Sequence, residues 1–272
     1  MHSIPWRDFV MRHRALNRPH LLTILLFSMF LWSLTRIDWG GSLVQAGGLS
    51  AVGEFAFALL RIDLTPTAVV ASLRASWITV TYAFAGLSVA LAIGLPLGVI
   101  GSGVLANNIR SRNISVVLGR FSLASMRSVH ELVWAWLFVA SFGLSPIAAV
   151  LALAIPYGGI LGRIFSELLQ DVSGRPLRVL RTSGASEWHV LLYGRFPMAL
   201  PDLLSYTFYR LECGIRSAAI MSFIGLGGLG HQIQLALDDL AYERVWTSLI
   251  FLIVLVVVVD AWSTNVRRRL TR

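Results

Sequence analysis

The sequence predicts an all-α, polytopic integral membrane protein with about six spanning helices, on three observations. Hydrophobic residues make up 56% of the 272 positions, and the mean hydropathy is +0.71. Charged residues make up only 14%, where a soluble domain carries roughly 25%. The apolar residues are gathered into blocks approaching about 20 residues, the length that crosses roughly 30 Å of hydrocarbon.

Residues 1–19 read as a basic arm on the cytoplasmic side, carrying Arg7, Arg12, Arg14 and Arg18. The first apolar block, residues 20–37, centres on LLTILLFSMFLWSL. A weak V-x-A site ending at Ala46 lies too far from this block for a cleaved leader, so the block reads as a first span or signal anchor. Residues 38–75 read as an outer segment in which AVGEFAFALLRIDL forms an amphipathic surface helix.

A core domain then occupies 76–272. Its first span lies within 76–105, rich in small residues (Gly86, Gly94, Gly98) that let helices approach closely in lipid. The next apolar block, 132–144, is too short alone. It either extends backwards through the mixed segment before it or is shielded from lipid. The fourth span covers 146–166, with Pro156 inside it. The fifth covers 203–226 and is polar at its start, and the sixth, 245–262, holds IFLIVLVVVV.

Six spans put both termini on one side, and arginine bias decides which. Seventeen arginines fall on one set of segments and four on the other, with Arg210 and Arg216 inside the fifth span. The bias predicts that both termini are cytoplasmic. Trp32, Trp39, Trp77, Trp246 and Trp262 fall near span ends, as interfacial anchoring predicts.

The charge has a second message. The net charge is +9, and all 23 basic residues are arginine, with no lysine. A P-loop and a Schiff-base enzyme both need lysine, so neither is encoded here. Cys213 is the only cysteine, and the six histidines form no HxxxH or HExxH pair, which argues against redox and zinc sites. The inner-side bias accounts for most of the basic charge without any nucleic-acid partner.

After the fourth span comes a long polar stretch, 167–199. Within it Gly184-Ala185-Ser186 precede a helical pattern that runs to Gly194 and Pro197. Trp188, Leu191 and Leu192 fall at i, i+3 and i+4, an apolar face that either docks on a partner or packs on its own bundle. The Gly184-Ala185 pair, with Pro197 thirteen residues after the glycine, resembles the EAA loop of ABC-importer permeases. The wider stretch from about 120 to 235, including YRLECGIRSA and GLGGLG, is similar to the phosphonate branch of that family.

The resemblance implies a type I importer permease fold and a coupling loop for a cytoplasmic ATPase. It also implies a pair of permeases, two ATPases that bind ATP and Mg, and a periplasmic binding protein. This chain then holds no nucleotide, cofactor or metal and sits among the lipids of the bacterial inner membrane. The resemblance further implies transport of phosphonate, phosphite or a related reduced-phosphorus anion, the alternative being another small anion or solute. Two positions depart from the pattern: the family's EAA glutamate falls on Arg178, and His130 precedes the glutamate of MRSVHE.

Polar residues inside the membrane mark pathways or paired seams. In the fifth span Ser205, Tyr209, Glu212 and Arg216 share a face, with Tyr206 and Arg210 on an adjacent stripe. Glu212 and Arg216 can pair at i, i+4. These residues form either a structural seam or the translocation pathway of an anion. Gly225, Gly227, Gly228 and Gly230 follow as a candidate flexible turn or gate, and Glu131 as a candidate partner for an arginine. An intramembrane enzyme would need converging groups, whereas His130 and Glu131 diverge by about 100° on a helix. A secondary transporter would show inverted repeats, and none stands out.

Overall fold

The computed structural model describes residues 19–37, 39, 47–106 and 108–270. The expected N-terminal arm with Arg7, Arg12, Arg14 and Arg18, together with Ala46 and Arg272, lies outside them. Among the described residues every regular element is helical. The chain divides into two units, Met1–Glu54 and Phe55–Arg272.

In the first unit α1, Pro19–Thr35, is apolar throughout, with the side chains from Leu21 to Trp32 exposed. At 17 residues it rises about 25 Å, slightly short of a full crossing. The helix α2, Gly48–Ala58, carries Phe55, whose ring stacks on Trp246 at 5.0 Å within the second unit.

The second unit is built on α3, Pro66–Ser102, and α6, Pro146–Asp171. Between them lie α4, Ile109–Ser128, and α5, Glu131–Phe142. After α6 come α7, Gly174–Thr182, and α8, Glu187–Val190, which leads through a π turn, Leu191–Arg195, into α9, Phe196–Met221. Two more helices follow, α10, Leu229–Asp238, and α11, Tyr242–Leu270. Four helical runs are long and apolar enough to cross a membrane: Pro66–Ser102, Pro146–Asp171, Glu187–Asp238 and Tyr242–Arg269. The six expected spans therefore resolve into four of full length and two shorter apolar helices, α1 and α5.

Glycines explain why α3 and α6 meet. A Cβ placed on Gly94 would lie 2.7 Å from the Gly158 carbonyl oxygen, and one on Gly98 2.8 Å from that of Gly162. Gly94 and Gly98, four residues apart, thus mark a ridge where backbone touches backbone, and Gly86 on the same helix meets the Leu153 side chain. Lipid tails are as apolar as leucine, so association in the bilayer relies on such close packing. On its other side α6 presents Gly159, whose added Cβ would stand 2.8 Å from the Leu123 carbonyl oxygen of α4. The centre of the bundle is α6: 61% of its most apolar stretch is buried, against 17% for α11.

The third crossing is a broken one. Gly159 and Gly162 of α6 meet Leu123 and Met126 of α4, while α5 packs further towards the N-terminus of α6. So α4 and α5 run in succession, antiparallel to α6, and share one transit. The apolar block at 132–144 does extend backwards, but through a break at Val129 and His130, which are both extended. His130 caps α5, its Nδ1 accepting the Leu132 N–H at 3.2 Å.

Replacing Gly94 or Gly162 with leucine should therefore force the α3–α6 contact apart. Overpacking costs typically about 1–3 kcal/mol, and backbone atoms cannot swing aside, so the loss should reach or exceed that range. Thermal unfolding of the detergent-purified chain should show it, while Gly174→Ala, where an added Cβ meets nothing within 4 Å, should leave the melt unchanged.

Candidate functional site

The loop after α6 is a compact, internally bonded unit. Leu177 on α7 is buried, and Arg175, Arg178 and Arg181 are exposed. The helix ends in a Schellman motif: the Ala185 N–H donates to the Leu180 carbonyl at 3.1 Å and the Gly184 N–H to that of Arg181 at 3.0 Å. Gly184 itself takes φ +86°, the left-handed conformation that such a motif demands. An added Cβ there meets nothing within 4 Å, so the requirement is one of backbone angle and not of space.

Arg181 then clamps Glu187 with two bonds, Nε to Oε1 at 2.8 Å and Nη2 to Oε2 at 2.9 Å. This fork fixes α7 against α8. The guanidinium holds the Glu187 carboxyl below the usual carboxylate range, first through the hydrogen bond and then through its charge. Ser186 precedes α8, and its hydroxyl pairs with His189 Nδ1 at 2.6 Å. The expected short helix is present, but Pro197 does not end it. Pro197 sits in the first turn of α9, where it has no N–H to offer Tyr193. The backbone widens just ahead of it, with the Phe196 N–H reaching the Leu191 carbonyl.

The expected apolar face divides. Leu191 is buried with Val190, while Trp188 and Leu192 stay exposed at 60% and 55%. The turn is apolar nearly all round, so one side packs on its own bundle and the other stays open. Tyr193, stacked with His189 at 6.1 Å, and Val179 are exposed as well. Gly194 belongs to the packed side: a Cβ there would lie 2.7 Å from Leu177 Cδ2.

The polar residues of α9 also separate into two sets. Arg216 Nη2 binds Glu212 Oε1 at 3.0 Å, and Arg267 of α11 approaches Glu212 Oε2 at 4.0 Å. That set faces α11. Tyr206 and Tyr209 stand with ring centroids 5.9 Å apart. Arg210 turns towards α6, its guanidinium 4.5 Å from the centre of the Tyr157 ring. It makes no ion pair among the described residues, and its buried Nε has no hydrogen-bond partner.

From Tyr157 a chain of bonds continues. The Tyr157 hydroxyl donates to Ser217 Oγ at 2.9 Å, and the Ser217 hydroxyl donates to Glu131 Oε1 at 2.7 Å. Glu131 therefore partners a serine of α9 rather than an arginine. The chain ties the start of α5, the middle of α6 and the C-terminal part of α9 together. Sequence reasoning missed Tyr157 and Ser217, because single hydroxyls on apolar helices carry no periodic signal.

The glycine turn is anchored rather than loose. The Tyr82 hydroxyl donates to the Leu226 carbonyl at 2.9 Å, and the Leu229 N–H donates to Thr79 Oγ1 at 3.0 Å. Gly225, Gly227 and Gly228 all have positive φ, and a Cβ on Gly230 would collide with the Ala219 carbonyl. Beside the turn opens a cleft of about 740 Å³ that includes Arg74, Ile78, Gly228 and His231 in its lining.

Over residues 19–272 the chain matches the family described as binding-protein-dependent transport system inner membrane component. The chain belongs to that family. It is the permease subunit of an ABC importer, a transport component. It is 34% identical over 151 residues to HtxE of Stutzerimonas stutzeri, a protein named for phosphite transport. That match takes in 56% of this chain and 58% of HtxE, less than two thirds of that relative's length. It is 30% identical over 198 residues to the phosphite transport system permease protein PtxC of the same organism, covering 71% of this chain and 70% of PtxC. Its fold is similar to a solved chain of the inward facing MetNI methionine ABC transporter, with a TM-score of 0.67 at 20% identity. That likeness covers 77% of this chain and all of the other.

Two outcomes follow for the loop of this permease. Gly184→Ala should cost about 1 kcal/mol through backbone strain alone, whereas Gly184→Asn, which tolerates the left-handed region, should be close to neutral. Chemical unfolding of the purified chain separates them. The Arg181–Glu187 clamp contributes fully above the ordinary carboxylate range and is lost as pH falls through the lowered Glu187 value. Protection of the loop amides from hydrogen exchange, taken relative to the intrinsic rate at each pH, should fall across that acid window, and Glu187→Gln should remove that change.

Proposed function

We propose that this permease carries small phosphorus oxyanions of the phosphite and phosphonate class across the bacterial inner membrane. It works as one of two copies, driven by two cytoplasmic ATPases that bind ATP and Mg and supplied by a periplasmic binding protein. The arginine bias supports placing both termini, and with them the docking loop, on the cytoplasmic side. The names of HtxE and PtxC support the substrate class.

The observation that carries the reading is Arg210. A guanidinium without a carboxylate partner, held over Tyr157 halfway along α9, is a fixed positive charge at membrane depth. Its planar fork suits the oxygens of a tetrahedral anion. Glu212 and Arg216 neutralise one another and act as a seam towards α11, leaving Arg210, with Tyr206 and Tyr209 beside it, as the pathway group. The cleft with Arg74 and His231 serves as the outer mouth, and the turn at Gly225–Gly230 borders it.

Coupling falls to the open side of the loop. Trp188, Leu192 and Tyr193 form an apolar patch for a groove of the ATPase, and the exposed Arg175 and Arg178 call for an acidic rim there. Gly184, Ala185 and Ser186 set the angle of that patch, while Leu191, Gly194 and Pro197 join it to α9.

Uptake into proteoliposomes containing the permease, its ATPase and its binding protein tests this reading. Phosphite and methylphosphonate should enter in preference to phosphate and methionine. Arg210→Gln should lower anion uptake about 10- to 100-fold, the equivalent of one or two charge-assisted hydrogen bonds, while ATP hydrolysis persists, and Arg210→Lys should retain part of the flux. Preferred uptake of methionine or of another solute would overturn the substrate class.

A further inference from the structure

A second group of arginines lies away from Arg210, where the docking loop meets the core. The cavity there is about 270 Å³, room for about nine waters at roughly 30 Å³ each. It is lined by the end of α3 at Ser102 and Gly103, by Arg112 of α4, by Gln170 of α6, and by Arg181, Glu187 and Arg195 of the loop, and it opens to the surface. Three guanidiniums and one carboxylate face it, a net charge of +2.

The single carboxylate is already spent, since both oxygens of Glu187 are gripped by Arg181. Arg195 is tethered by Nη1 to the Leu169 carbonyl at 2.6 Å, and its buried Nε has no hydrogen-bond partner. Among the described residues Arg112 makes no ion pair, and its stem lies so near Gly103 that an added Cβ would stand 3.0 Å from Arg112 Cγ. A buried donor left unpaired costs free energy, and two uncompensated cations sharing a cavity repel. A tetrahedral oxyanion answers both at once, because its several oxygens can accept from guanidiniums that approach from different helices.

We propose that this cavity is a binding site for a phosphate-class anion, held between Arg112 and Arg195 at the base of the docking loop. The proposal goes beyond transport of phosphorus anions and does not depend on it, since neither arginine lies on the Arg210 pathway. Occupancy bridges α4 to the loop and stiffens the connection through which an ATPase would move the bundle. The phosphate group comes either from the free ion or from the headgroup of an anionic phospholipid.

Calorimetric titration of inorganic phosphate into the full-length permease in phosphatidylcholine nanodiscs tests the site. Saturable binding should weaken at least 10-fold in Arg112→Gln and in Arg195→Gln, and Arg110→Gln, which alters the same helix outside the cavity, should match the parent. Arg112 is exposed and has no ion pair among the described residues, so its variant keeps the fold even where Arg195→Gln does not. In phosphatidylglycerol nanodiscs, native mass spectrometry reads the other source. Phosphatidylglycerol retained by the parent and lost in Arg112→Gln, with phosphate binding suppressed, assigns the site to the lipid headgroup. Phosphate binding in both kinds of disc assigns it to the free ion. Phosphate binding untouched by Arg112→Gln, or no phosphate binding together with no Arg112-dependent lipid, would overturn the proposal.

Discussion

Backbone contact between α3 and α6 at Gly94, Gly98, Gly158 and Gly162 is the constraint on which the other features rest. Where these helices touch, no side chain separates them, so the axis of α6 is set by the thickness of the polypeptide itself. With α6 held there, its opposite side receives α4 through Gly159, and Tyr157 is delivered to the interface with α9. A larger residue at the ridge would displace the polar chain as well as the packing.

That chain makes sense of the break in the third transit. An interruption at membrane depth leaves helix-end groups without partners, which hydrocarbon cannot satisfy. His130 accepts one of the freed N–H groups at the start of α5, and Glu131 is held by Ser217. The break thus becomes a fixed point where three helices are tied by hydroxyl hydrogen bonds. Arg210, stacked on the first tyrosine of the chain, inherits its position from them.

The loop between α6 and α9 is joined to the bundle by packing and by hydrogen bonds. Arg195 bonds back to the end of α6, Leu177 fills the space left by Gly194, and α8 passes into α9 with only a widened turn between. Trp188 and Leu192 are therefore connected to α9 by a continuous helical run. Much of this was legible in advance. The small-residue spacing marked α3 as a packed helix, and Gly184 and Pro197 marked the loop. The apolar run from 245 to 262 marked α11. The face of the loop that points inward was not legible, because Val190 and Leu191 are as apolar as Trp188 and Leu192. Nor was the partner of Glu131, which lies 86 residues away on another helix.

By itself the sequence determined the class of molecule, the uneven spread of arginine along it and the place of its loop. These follow from local quantities: length of apolar run, count of arginines, and the backbone demands of glycine and proline. Only the tertiary structure decided which polar residues meet. Ser205, Tyr209, Glu212 and Arg216 look like one stripe with Arg210 beside it, yet the bundle turns Glu212 and Arg216 towards α11 and Arg210 towards Tyr157. Helical spacing places residues around a cylinder but says nothing of what stands opposite. That is settled by the rotation at which two glycine-lined helices can close.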